Sequence, residues 1–153
     1  MKWWVLSVFV AGCVWATANV SDEEERPIRR MDTARMERIA NVHGGKGAML
    51  FRSIFKKADW NFETDWSFVD HCVLPPDTSI GIHSHPTHEE MYIIRKGGGI
   101  ATLNGKEYPI RAGDLIPVRI GWTHGVFNNS REPLELLNVG VFKHGVTELK
   151  SSN

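Results

Sequence analysis

Gly81-Ile82-His83-Ser84-His85 places two histidines two residues apart inside a run of apolar residues. Because side chains alternate between the two faces of a β-strand, both imidazoles are expected on the same face. Glu90 begins the next apolar run, and His124 opens a third run further along the chain. Three imidazoles and one carboxylate can therefore converge on one point from neighbouring strands.

Neutral imidazoles and a carboxylate suit a first-row divalent metal, with bonds of ~2.0–2.2 Å. If such an ion is six-coordinate, two positions stay open for water or a substrate. The sequence therefore predicts one divalent transition metal (Mn, Fe, Ni or Zn) held by His83, His85, Glu90 and His124. The alternatives to Glu90 are His88 and Glu89, and the strand period together with the position of Gly97 favours Glu90.

The chain from Ala48 onward has the pattern of an all-β protein. Asn104-Gly105 is the clearest hairpin signal, because both positions of a two-residue turn favour positive φ. Turn residues separate short apolar or alternating runs, which predict strands at 48–55, 67–74, 79–85, 89–95, 99–103, 106–110, 115–118, 124–128 and 134–141. Short strands at this spacing predict a sandwich, jelly roll or barrel.

The 153 residues are enough for one domain with a substantial core. Asp32 or Thr33 is expected to begin a short helix that runs through Ile39 and ends near His43. The sequence predicts four segments: a signal peptide at 1–18, an extension or linker at 19–47, the β-domain at 48–142 and a C-terminal tail at 143–153.

The N-terminus has the pattern of an export signal. Lys2 precedes an apolar run from Trp3 to Trp15, and Ala16-Thr17-Ala18 provides the small residues that precede a cleavage site. The apolar run is shorter than the stretch of about 20 residues that a membrane-spanning helix usually needs. We therefore expect a secreted or periplasmic protein cleaved after Ala18. The alternative is lipid anchoring through Cys13, because Val10-Ala11-Gly12-Cys13 resembles a lipobox.

Charge and cysteine content exclude some classes of protein. Lys+Arg and Asp+Glu both number 18 and are interspersed, so no basic stripe is available to bind a nucleic acid backbone. Outside the presequence only Cys72 remains, which rules out a disulfide within the folded domain. A single cysteine in an apolar strand is expected to be a small buried hydrophobic residue.

The histidine motif resembles the first motif of the cupins, Gly-x5-His-x-His-x(3,4)-Glu-x6-Gly. His83, His85, Glu90 and Gly97 match it. The leading glycine is missing, because Asp77 stands at its place.

A second motif of the same family, Gly-x5-Pro-x-Gly-x2-His-x3-Asn, also has a counterpart. Gly113, Gly121, His124 and Asn128 match it at the family's spacing, whereas Arg119 stands where the proline usually does. The resemblance covers about residues 48–142. It implies a single-domain cupin of type 2, a jelly-roll β-barrel, whose metal ligands are His83, His85, Glu90 and His124.

Three hypotheses about function follow. Cupins of this kind resemble sugar isomerases, uronate-processing proteins, carboxylate-converting enzymes and iron dioxygenases, which implies a metal-dependent enzyme acting on a small oxygen-rich molecule. We favour this hypothesis, with Tyr92 as the candidate catalytic residue. Whichever of Asp70 and His71 faces the interior is the other candidate for proton transfer. The alternative is a non-catalytic protein that binds a small molecule or a metal.

The third hypothesis is assembly. The aromatic residues Trp60, Phe62 and Trp66 lie in a polar context and could form a homodimer contact or cap an open end of the barrel. The other histidines, His43, His71 and His144, are expected to be surface or core residues rather than ligands. Trp122 lies two residues from His124, and Tyr92 lies two residues from Glu90. Each aromatic residue is therefore expected on the same strand face as the ligand near it, which makes both candidates for the wall of a pocket.

Overall fold

The computed structural model describes residues 28–60 and 62–147. The predicted signal peptide, its cleavage site after Ala18 and the lipidation alternative at Cys13 lie outside the described residues. Within the described ranges, no helix is long and apolar enough to cross a membrane.

Ten β-strands account for most of the described chain. In order they are β1 Glu37–Ala40, β2 Ala48–Lys56, β3 Trp66–Leu74, β4 Ser79–His83, β5 His88–Lys96, β6 Gly98–Leu103, β7 Lys106–Arg111, β8 Leu115–Val118, β9 His124–Phe127 and β10 Leu134–Phe142. The nine predicted strands are all present as β2 to β10, with ends that differ by no more than two residues. The prediction of an all-β fold is confirmed.

The strands form two antiparallel sheets. One has six strands in the order β1-β2-β3-β10-β5-β8, and the other has four in the order β4-β9-β6-β7. Apolar side chains from both sheets meet in one core, which includes Leu74, Ile94, Ala101, Val126 and Leu136. This arrangement is a jelly roll, although hydrogen bonding between the described strands does not close the two sheets into a continuous barrel.

The predicted helix from Asp32 or Thr33 through Ile39 is wrong. The Asp32 carboxylate does accept a hydrogen bond from the Ala34 amide at 2.9 Å, but it begins only a 3-10 turn over Thr33–Arg35. The chain then enters β1, which pairs with β2. An isolated helix this short is marginal in water, whereas the edge of β2 offers a complete set of backbone partners. The sheet therefore begins before the start predicted at residue 48.

Two motif residues serve the fold. Gly97, between β5 and β6, has a φ of 74°, and a Cβ there would collide with the carbonyl oxygen of Pro133, so only glycine fits. Asn128 is fully buried and donates hydrogen bonds of 2.8 Å to the carbonyl oxygens of Leu74 and Glu132. Both residues therefore contact the loop that precedes β10.

Asn104 and Gly105 form the predicted two-residue hairpin turn. Their φ angles are 48° and 76°, and Leu103 pairs directly with Lys106 across the turn. Cys72 is free and buried in the core, as expected, and burial raises the pKa of its thiol.

The aromatic residues between β2 and β3 form a cluster at the surface. The rings of Trp60 and Phe62 stack with centroids 5.9 Å apart, and Phe55 makes edge contacts with both Phe62 and Trp66. Phe62 and Trp66 are 37% and 42% exposed. A homodimer contact at this cluster stays a prediction.

Candidate metal centre

The structure brings His83, His85, Glu90 and His124 together between the two sheets. His83 ends β4 and pairs in register with His124, the first residue of β9. His85 lies two residues beyond β4, and Glu90 belongs to β5 in the other sheet. One nitrogen or oxygen atom from each of the four lies within 4.8 Å of all the others. This group could therefore hold a metal ion.

Backbone carbonyl groups orient two of the imidazoles. The Nδ1 atom of His83 lies 2.8 Å from the carbonyl oxygen of Gly81, and that of His124 lies 3.4 Å from the carbonyl oxygen of Trp122. A carbonyl oxygen only accepts hydrogen bonds, so each Nδ1 carries the proton. The Nε2 lone pair of each ring is thereby left for a ligand, which is the arrangement that metal-binding histidines usually adopt.

The contacts of Glu90 test whether a cation fits. Its Oε2 lies 3.2 Å from Nε2 of His124, and its Oε1 lies 3.3 Å from Nε2 of His85. Neither ring nitrogen of His85 makes a hydrogen bond with a described residue. With the proton of His124 on Nδ1, lone pairs of nitrogen and oxygen face each other, which is unfavourable unless a cation lies between them. The four ligand atoms lie within 4.8 Å of one another, which is close to the ~4.0–4.4 Å that separates opposite ligands of one ion. The donor set fits a divalent metal.

Protonation states also suit a metal. Burial by itself would raise the pKa of Glu90, but the imidazoles of His124, His85 and His88 hold it well below its usual range. Burial, together with the neighbouring His124 and His43, lowers the pKa of His83 to about 3, against a smaller opposing effect of the Gly81 carbonyl. At neutral pH the carboxylate is therefore charged and this imidazole is neutral, as metal binding requires.

The two alternatives to Glu90 take different positions. Glu89 is exposed on the opposite face of β5. His88 is buried, with Nε2 3.3 Å from Oε1 of Glu90 and its ring centroid 4.0 Å from that of His85. His88 thus lies beside the group of four and contacts the same carboxylate oxygen of Glu90 as His85 does.

His43 also borders the site, which the sequence did not indicate. It is exposed, as expected, but its ring stacks on that of His83 with centroids 3.6 Å apart. Its φ of 51° is left-handed, and its carbonyl oxygen approaches β4 where a Cβ at Gly81 would collide with it. Burial of the stacked face and the nearby His85 lower the pKa of His43. No fixed spacing links this loop to the histidine motif, so only the fold reveals the contact.

The remaining histidines behave as expected. His71 is buried on the face of β3 opposite to that of Asp70, with Nε2 3.0 Å from Oε1 of Glu135. His144 is exposed and lies 3.1 Å from an oxygen of Asp65.

A cavity of about 480 Å³ opens beside the four-residue group. His43, His83, His85, His88 and Glu90 contribute to its wall. Most of the remaining surface is apolar and comes from Met49, Phe51, Phe68, Ile80, Tyr92 and Phe142. The exposed residues Lys56 and Ala58 lie at its rim. A volume of this size is typical of sites for small organic ligands, ~300–1,000 Å³.

Of the two proton-transfer candidates on β3, Asp70 is the one that faces the cavity. Burial raises the pKa of Asp70 to about 6 against the opposing effects of Ser53 and Lys56, and the negative charge of Glu90 adds a smaller increase. Its Oδ1 atom makes no hydrogen bond with any described residue. This carboxyl group can therefore change its protonation state near neutral pH.

The two aromatic candidates differ. Tyr92 is buried and lines the cavity, with its ring centroid 5.7 Å from that of His124. Burial and the adjacent Glu90 carboxylate raise the pKa of Tyr92, so its hydroxyl group stays protonated. Trp122 instead stacks under the guanidinium of Arg119, at 5.4 Å, and does not line the cavity.

Comparison with known proteins connects this geometry to one family. The model of the family described as "Cupin domain" matches residues 70–140. A curated relative, the oxalate-binding protein of Thermotoga maritima, is 35% identical over 103 residues, which are 67% of this chain and 84% of that protein.

Solved structures show the same similarity. The crystal structure of a predicted oxalate decarboxylase from Thermotoga maritima superposes with a TM-score of 0.68 at 33% identity, covering 76% of this chain and 99% of that one. A cupin 2 conserved barrel domain protein from Salinispora arenicola gives a TM-score of 0.60 at 23% identity, covering 76% and 88%. The second similarity supports the fold alone.

Proposed function

The chain belongs to the cupin family, and from that premise we propose that it is a metal-dependent enzyme acting on a small oxygen-rich acid. Its relatives and its cluster of three histidines and one glutamate support a small-molecule or metal-binding role. The observation that carries the proposal is the convergence of four ligand atoms within 4.8 Å of one another, beside a cavity of about 480 Å³ that His83, His85 and Glu90 line.

In this proposal His83, His85, Glu90 and His124 hold one divalent ion. When bound, such an ion polarises an oxygen atom of the ligand and stabilises negative charge that develops on it. His88 and the carbonyl groups behind the imidazoles keep the ligand atoms aimed at one point.

The chain also supplies a group that can move a proton. Asp70 faces the cavity with a pKa of about 6, so both of its protonation states are populated near neutral pH. Tyr92 keeps its proton and suits the role of a hydrogen-bond donor. The apolar surface from Met49, Phe51 and Phe68 excludes water from the reacting atoms. We therefore assign proton transfer to Asp70 in preference to Tyr92.

A non-catalytic binding protein is the second candidate. It is favoured by the curated relative that is named an oxalate-binding protein. Both candidates require the same metal and the same cavity, so they differ only in whether the bound acid is converted.

The experiment compares binding with turnover on the same preparation. The protein is loaded with Mn²⁺, Fe²⁺, Ni²⁺ or Zn²⁺ and mixed with oxalate and simple hydroxy, oxo and uronic acids. Calorimetry measures binding, and product analysis measures conversion. The enzyme proposal expects binding and conversion, both abolished by His124→Ala and retained by His144→Ala, the matched exposed histidine. Binding without conversion of any acid would favour the second candidate.

We also propose that the protein is exported. The proposal rests on the sequence of residues 1–18. Mass spectrometry of the protein from its host is expected to find an N-terminus at Asn19. A chain that retains residues 1–18 without lipid would contradict export by cleavage, and a lipid on Cys13 would support the anchored alternative.

A further inference from the structure

The cavity is much larger than the acid that the relatives' names suggest. Oxalate has six non-hydrogen atoms, and its volume is roughly that of four water molecules at ~30 Å³ each. It would fill about a quarter of a cavity of about 480 Å³. A site shaped for oxalate alone would be expected to close around it, because ligand sites usually bury most of the ligand surface.

The chemistry of the wall changes with distance from the metal ligands. Beyond the histidines and Glu90, the lining is mostly hydrocarbon, provided by Met49, Phe51, Phe68 and Phe142. Phe68 is 6% exposed and Met49 is 5% exposed, so these side chains are fixed by the core. A ligand that packs an apolar group against this surface is expected to bind about fourfold more tightly for each methylene group that is buried.

A pair of polar residues interrupts this apolar surface. Asp70 on β3 and Asn138 on β10 are register partners in the six-stranded sheet, and both line the cavity. The Oδ1 atom of each makes no hydrogen bond with a described residue. Two acceptor oxygens on paired residues of the same wall call for a donor, such as a hydroxyl or amino group, on a bound ligand.

Charge at the rim favours an anion. The exposed Lys56 lines the opening, so its ammonium group places positive charge at the rim. A cation bound by the histidines and Glu90 would add positive charge further in. Together these charges complement a carboxylate head group.

We propose that the ligand of this cavity is an amphiphilic organic acid larger than oxalate, with its carboxylate head at the four-residue group and an apolar body against Met49, Phe51 and Phe68. The inference rests on the proposed function, because the head group needs the metal. Its apolar body is large enough to displace water from the hydrocarbon wall, and a donor group on it meets Asp70 and Asn138.

A series of 2-oxo acids tests the size of the ligand with the head group held constant. Calorimetry on the Mn²⁺-loaded protein compares pyruvate, 2-oxohexanoate, 2-oxooctanoate and phenylpyruvate, with oxalate as a further probe. We expect 2-oxooctanoate or phenylpyruvate to bind at least tenfold more tightly than pyruvate and oxalate. The metal-free protein is expected to lose this binding.

Two tryptophan variants separate binding in the cavity from non-specific adsorption. Ala58→Trp places a large ring at the rim, whereas Ala112→Trp places it on the exposed turn between β7 and β8, outside the cavity. The ratio of the affinities for 2-oxooctanoate and pyruvate is expected to fall at least fivefold in the first variant and to stay unchanged in the second.

The outcomes distinguish this inference from the proposed function. Tight binding of oxalate or pyruvate without any gain from a longer body would overturn the inference and leave the proposed function standing. If no acid binds to the metal-loaded protein, both are overturned. An equal loss in Ala58→Trp and Ala112→Trp would also overturn the inference, because the apolar body would then bind elsewhere.

Discussion

The imidazole rings of His43 and His83 stack with their centroids 3.6 Å apart and their planes 6° from parallel. His83 provides one of the four converging ligand atoms, whereas His43 comes from a loop that precedes β2. The contact depends on Gly81, where a Cβ would collide with the carbonyl oxygen of His43. The loop thus covers one face of a candidate ligand and limits how its ring can rotate.

His43→Ala is therefore expected to weaken metal binding without abolishing it. The variant frees the ring of His83 to rotate, and we expect metal affinity to fall by about threefold to tenfold. This loss is no larger than the loss usually caused by removing a residue that contacts a metal ligand but not the metal. Competition with a chelator of known affinity measures the change. The matched control is His144→Ala, on the surface, which is expected to match the wild type. A full loss of metal in His43→Ala would mean that His43 is itself a ligand.

Glu90→Gln should remove the charge that holds the metal while keeping the shape of the side chain. We expect metal affinity to fall by at least a hundredfold, because the buried carboxylate is the only anionic member of the group of four. Glu89→Gln is a close control, since that side chain is exposed on the other face of β5. Titration with Mn²⁺ or Zn²⁺ measures both variants. Equal effects of the two substitutions would refute the assignment of Glu90.

Asp70→Asn should stabilise the metal-free protein at high pH. The folded-state pKa of Asp70, about 6, lies above its usual value, so the charged form is less favourable in the folded state than in the unfolded chain. This cost is small at pH 4, grows as the pH rises to about 6, and is fully present above it. At ~1.4 kcal/mol for each pKa unit, the substitution is expected to raise the free energy of unfolding by about 1–3 kcal/mol at pH 8.

The same substitution should have little effect at pH 4. Denaturant titrations at the two pH values measure the difference, and Asp65→Asn provides a control near the surface, with an expected change within about 0.5 kcal/mol. A loss of stability in Asp70→Asn at pH 8 would contradict the environment described for Asp70.

Acid should release the metal and also destabilise the metal-free fold. The pKa of His83 in the folded state is about 3, below that of an imidazole in the unfolded chain, ~6.5. The unfolded state therefore binds more protons between these two pH values. The contribution of His83 to the free energy of unfolding is complete above pH ~6.5 and declines as the pH falls towards 3. Metal binding requires neutral imidazoles, so the metal is expected to be released as the pH falls through this window. Retention of the metal by a folded protein below pH 3 would argue against histidine ligands.

The local pattern was sufficient to predict most of the strands and the convergence of the candidate ligands. Gly97 and Asn128 were identified from the motifs. The structure shows the physical reason for each residue, which is turn geometry for Gly97 and buried hydrogen bonds for Asn128. The short segment before Ala40 was misassigned, because its strand forms only through pairing with β2. Its local sequence carries too weak a preference to decide between helix and strand.

The surroundings of the ligands were harder to predict. Strand alternation showed that Asp70 and His71 must point in opposite directions, but the face that meets the cavity depends on how the two sheets pack. The same uncertainty affected Trp122, which has the parity of His124 but stacks on Arg119 outside the cavity. The contact of His43 joins segments far apart in the chain, and no local periodicity encodes it.

The central claim is that four side chains hold one cation between the two sheets. The most direct measurement is anomalous X-ray diffraction from crystals of the metal-loaded protein, recorded at the absorption edge of the bound metal. We predict a single peak at bonding distance, ~2.0–2.2 Å, from His83, His85, Glu90 and His124. No peak at this position, or a peak at which the Glu90 carboxylate has turned away from the metal, would contradict it.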